Sequence, residues 1–210
     1  MTLLDSDERM TGALQSLVLD HILIESGTAT WVDARANGTS QPMAKLAPDM
    51  RVLDRINIAR AFTPWQHQSL LHDLPGEVTD ETVIVVLPAL DAFYRTGDLR
   101  RHEQERMFEE SATVADEIAT ERNVPVLITR QQADALTAPL ENVVSEVISC
   151  ELTGVGPRFA GDEFETLVYP LDDGFVQTTI AFWNRVIADR HPAVTELGST
   201  PNGVSVSGSH

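Results

Sequence analysis

Residues 83–95 read VIVVLPALDAFYR. With Thr82 in front, TVIVVL (82–87) is a continuous apolar run. A strand with one wet face would alternate polar and apolar residues; an unbroken run fits a strand covered on both faces, as in a parallel sheet. Pro88 ends the run, because proline has no N–H to give to a ladder. VPVLITR (124–130) has the same character. Between the two runs, residues 99–122 place Met107, Phe108, Ser111, Ala115, Ile118 and Ala119 along one side of a helix. Strand, helix and strand at this spacing predict a right-handed βαβ unit.

The same rhythm extends upstream. Residues 6–24 carry Met10, Leu14, Leu17, Val18 and Ile22 at helical spacing. Asp5 followed by Glu8 suggests a capped start, and Gly27 a stop. ATWVDA (29–34) and INIARAF (56–62) predict strands. PWQHQSLLHDL (64–74) predicts a helix opened by proline. After residue 145 the pattern changes. EVISCELTGVG (146–156) and EFETLVYPL (163–171), joined by a Gly/Pro loop, predict an antiparallel extension at a sheet edge. VQTTIAFWNRVIADR (176–190) is expected to close the domain as a strand turning into a helix, and the Pro/Gly/Ser-rich residues 191–210 to be a disordered tail. The expected fold is therefore α/β, a mostly parallel sheet flanked by helices, in one domain over residues 1–190.

The chain has 210 residues and 42% hydrophobic residues, enough to bury a core. MTLLDSDERM (1–10) has acids where a signal peptide would be basic. No apolar run approaches the roughly 20 residues of a membrane span. The expectation is a soluble, cytoplasmic protein without membrane contact. Cys150 is the only cysteine, which excludes an intrachain disulfide and a cysteine metal cluster. The net charge is −17, and Lys45 is the only lysine beside fourteen arginines. Such a surface suits multimolar salt, where the Debye length is about 3 Å or less, and points to a halophilic host. An arginine-rich codon bias is the alternative source.

The order and wording of four segments resemble the ATPase core of the RecA/RadA recombinase family over roughly residues 9–171. ATWVDA resembles the strand after the family's phosphate-loop helix. VLDRINIARAFTPWQHQSLL (52–71) resembles its strand ending in an alanine–aromatic pair, with a glutamine-bearing helix behind. VIVVLPALDAFYR resembles its magnesium-site strand, and residues 99–131 its helix and strand ending in a Thr-Asn-Gln signal. The resemblance implies a RecA-like sheet in an archaeal recombinase paralogue.

The departures from that pattern concern its chemistry. Nothing matches G-x-x-x-x-G-K-[ST], whose amides and lysine would wrap phosphates. The first strand and phosphate loop are expected to be missing or eroded. Arg35 stands where the resemblance implies a catalytic glutamate, and Pro88 where it implies the magnesium aspartate. Asp33, Thr129 and Gln131 remain of the polar signature, with Arg130 for the asparagine. No catalytic residue, cofactor or metal is expected. Gln131 is a candidate remnant of nucleotide contact, and Asp91 a candidate substitute acid or an ordinary turn acid.

Arg95, Arg100, Arg101 and Arg106 cluster where the resemblance implies a first DNA-binding loop. They are candidates for contact with a protein partner or, weakly, with single-stranded DNA. A solvated helix face paired with Glu103, Glu105, Glu109 and Glu110 is the plainer account. Residues 131–176 hold nine acids and one arginine, which disfavours a second DNA loop. His67 and His72, five apart, do not share a helix face for a metal. The leading expectation is a pseudo-ATPase that binds a RecA/RadA-like ATPase or other protein in DNA recombination and repair. The alternatives are an ATPase completed by a partner subunit, and a signalling adaptor without a DNA role.

Overall fold

The computed structural model describes residues 1–6, 12–35, 40–153, 156–161, 165–170 and 176–178. Among the described residues, nine strands form one sheet in the order β3-β2-β4-β5-β1-β6-β7-β8-β9. They are β1 (Thr2–Asp5), β2 (Thr28–Asp33), β3 (Ile56–Arg60), β4 (Thr82–Leu87), β5 (Val126–Thr129), β6 (Glu146–Thr153), β7 (Gly156–Ala160), β8 (Glu165–Pro170) and β9 (Val176–Thr178). Strands β1 to β6 pair in parallel, and β6 to β9 are antiparallel. The α/β class and the antiparallel extension are as expected.

Helices α1 (Ala13–Ile24), α2 (Ser40–Leu46), α3 (Pro64–Glu77) and α4 (Arg101–Glu121) cover the sheet, with 3-10 turns at Met50–Arg55 and Ala138–Asn142. The connections β1 to β2 to β3 run one way along the sheet, and those from β3 to β6 run back. Right-handed crossovers then put the two helix sets on opposite faces. One core joins α1 and α2 through Leu14, Val18, Ile22, Trp31, Met43, Ile84 and Val86. The other joins α3 and α4 through Leu71, Leu74, Val85, Leu87, Tyr94, Met107, Phe108 and Ile128. Val85, Val86 and Leu87 are all 0% exposed, which is why the β4 run does not alternate.

Three expectations are corrected. The first strand is present: TLLD (2–5) is β1, paired between β5 and β6. Asp5 therefore ends a strand and does not cap a helix. Four residues are too few for a period to show, and only the neighbours on both sides make Leu3 and Leu4 core residues of opposite faces. The helix read over 6–24 begins at Ala13, residues 7–11 lying outside the described residues. The Gly/Pro loop after β6 contains GPRFA (156–160), a further strand that pairs with both β6 and β8. The helix expected over 179–190 and the tail at 191–210 lie outside the described residues.

Gly27 has a different reason from the one its position suggested. The left-handed residue after α1 is Ser26, with φ 57°. A Cβ on Gly27 would collide with the Val83 side chain and stand 2.7 Å from the Glu81 carbonyl oxygen. Thr28 is bonded to that same carbonyl through its N–H at 2.8 Å, so the backbone cannot easily retreat. Gly27→Ala is expected to lower stability by about 1–3 kcal/mol, the usual penalty of overpacking. Urea unfolding at unchanged m-value measures it, and a neutral result would show that β2 and β4 separate freely.

Candidate functional site

In an open α/β sheet, ligands bind beyond the carboxyl ends of the strands where the connections change direction. Here the chain leaves β1 toward β2 and leaves β5 across β1 toward β6. The side chains at that point are already engaged with one another. Arg130, just past β5, donates to both oxygens of Asp5 at 3.1 and 2.6 Å and to Glu141 at 3.4 Å. Its side chain is 7% exposed. The Asp5 carboxylate raises the Arg130 pKa by its hydrogen bonds. A carboxylate at the end of β1 repels phosphate, and the nearest guanidinium is spoken for.

The turn after β4 is stapled to β5. Ala89 takes a left-handed φ of 48°, and its N–H donates to Thr129 Oγ1 at 2.7 Å. The Leu90 N–H donates to the Thr129 carbonyl at 2.9 Å. Asp91, 0% exposed, accepts the Gln131 N–H at 2.8 Å on one oxygen and the Arg95 guanidinium on the other. Asp91 thus serves as a turn acid: one oxygen ties the β4 turn to the backbone just past β5, and the other holds Arg95 of the same turn. Gln131 contributes its backbone here, and Thr129 both its hydroxyl and its carbonyl. Pro88 starts this turn, and Arg35 stands exposed after β2 with φ 55°. At the end of β2, the fully buried Asp33 accepts from Arg60 Nε at 2.8 Å.

A hydrogen-bonded chain crosses the α3/α4 core. Ser111 donates to the Met107 carbonyl at 2.7 Å, and a carbonyl can only accept. Tyr94 must then donate to Ser111 at 2.8 Å, and His67 Nδ1 must donate to Tyr94 at 2.7 Å. His67 is therefore the Nδ1–H tautomer with a bare Nε2, which has no hydrogen-bond partner and is buried. Burial lowers the His67 pKa to about 4 against the opposing charge of Asp33, so the ring is neutral at pH 7. Burial likewise raises the Tyr94 pKa. The sequence placed His67 only as a non-ligand; nothing in its spacing shows Tyr94 or Ser111 as its partners. Among the described residues, no group of three or more His, Cys, Asp or Glu side chains is placed to hold a metal ion.

The arginine candidates separate. Arg95 is turned inward: it donates to Asp91, to the Gln132 carbonyl at 3.0 Å and to both Asp134 oxygens at 2.6 and 3.0 Å. The Arg95 hydrogen bond holds the Asp134 carboxyl below its usual range. Arg101 and Arg106 lie on the outer face of α4, paired one turn on with Glu105 and Glu110 at 2.8 and 3.1 Å. The Arg100 N–H opens α4 by donating to Glu103. Arg95 and Arg101 border a groove of about 340 Å³, and Arg106 a groove of about 530 Å³ between α3 and α4.

A different surface is more open. Strand β3 ends the sheet, and among the described residues no strand pairs with its outer side. Ile58 on it is 37% exposed, and beyond its end Phe62 and Trp65 are 74% and 59% exposed. The sequence reads these residues only as part of a strand and of the helix after it; what exposes them is the end position of β3. No helix among the described residues is long and apolar enough to cross a membrane. No family model matches this chain, and no curated protein matches it.

Proposed function

We propose that this chain is a non-catalytic RecA/RadA-like paralogue that binds an active ATPase or recombinase and modulates it. The open edge of β3 carries this reading. An edge strand presents unpaired N–H and C=O groups to any chain that lies beside it, and natural proteins usually blunt such edges. Here the edge continues into exposed Ile58, Phe62 and Trp65, large apolar side chains of the kind that anchor protein interfaces. A partner segment adding a strand would satisfy the backbone and cover the apolar groups together. The non-catalytic half of the reading is supported by the Arg130–Asp5 pair at the end of β1 and by the absence of a phosphate-loop motif. The Asp91–Arg95–Asp134 linkage argues that Arg95 is structural and leaves Arg100, Arg101 and Arg106 as secondary partner or single-stranded DNA contacts.

The test uses a purified RecA/RadA-type ATPase from the same host. Wild-type chain is expected to retain it on a column and to change its ATP turnover. Ile58→Lys with Trp65→Ala, both at exposed positions, is expected to weaken capture by at least about tenfold while the circular dichroism spectrum stays the same. Equal capture by the folded variant, or no capture by wild type, would sink the reading.

A further inference from the structure

We draw no further inference here: the strongest candidate, the open β3 edge with exposed Ile58, Phe62 and Trp65, belongs to the docking surface already described, and nothing in the structure shows what covers it.

Discussion

Asp91→Ala is expected to lower stability by about 3 kcal/mol, at the lower end of the range for breaking a buried ion pair. The magnitude follows from what each partner retains. Asp91 is 0% exposed and has two engagements, the Arg95 guanidinium and the Gln131 N–H. Removing it strands the Gln131 N–H and releases the turn after β4 from the end of β5. Arg95 keeps Asp134 and the Gln132 carbonyl, which holds the loss below the maximum. Arg101→Ala is the control on the same chain. Its pair with Glu105 is solvent-exposed, so its loss is expected to leave the denaturant midpoint essentially unchanged. Asp91→Asn should fall between them, since the amide oxygen still accepts from Gln131 but no longer balances a charge. Denaturant midpoints at constant m-value measure all three, and a midpoint shift of a few degrees per kcal/mol, roughly 6–12 °C in total, is expected in melting. An Asp91→Ala protein as stable as Arg101→Ala would show that β4 and β5 hold their turn without the carboxylate.

The second large effect is hidden in the unaltered protein and appears on acidification of single variants. His67, lowered to about 4 by burial, refuses a proton that the unfolded chain accepts near 6.5. Between those values the unfolded state binds more protons, so this residue makes stability fall as pH falls. Asp20 does the reverse. Burial raises its carboxyl from 3.8 to about 6, so the folded state binds the proton first and stability rises as pH falls through that window. Each effect amounts to about 3 kcal/mol at its limit. In the unaltered chain they nearly cancel between about pH 4 and 6. Asp20→Asn is expected to gain up to about 3 kcal/mol at pH 7 and to lose about as much between pH 6.5 and 4. His67→Gln should instead stabilise on acidification over the same window. Unfolding followed across pH 4–7 separates the two. Parallel profiles for both variants would mean that neither group carries the shift its burial implies. Asp134 does not interfere, because its carboxyl is held below its usual value and is titrated at lower pH.

The sheet was legible where burial leaves a trace in residue type. TVIVVL and VPVLITR predicted β4 and β5 because each is covered on both faces, and the long apolar stripe predicted α4. The βαβ rhythm of a mostly parallel sheet was also legible, but the order of the strands in it was not. Composition alone set the charge, the single lysine and the single cysteine. The resemblance to the RecA/RadA family rests on the same linear order.

What the sequence could not show is decided by neighbours distant in the chain. TLLD is four residues long and reads as nothing in particular until β5 and β6 flank it, more than 120 residues away. Asp5 and Arg130 are 125 positions apart, and only the sheet order brings them together. Arg95 reads as one of four clustered arginines. Its inward turn depends on Asp134, which lies on the loop after the next strand. The tautomer of His67 follows from a chain of three side chains on two helices and a turn. The exposure of Ile58 has the same origin. INIAR breaks its apolar residues with Asn57 and Arg60, unlike TVIVVL, but only the place of β3 at the end of the sheet, with no strand among the described residues on its outer side, decides that Ile58 is exposed. Local pattern records how deeply a residue is buried, because burial constrains its type. It does not record which residue does the burying, and that is where the pairing of charges, the protonation of His67 and the open edge are determined.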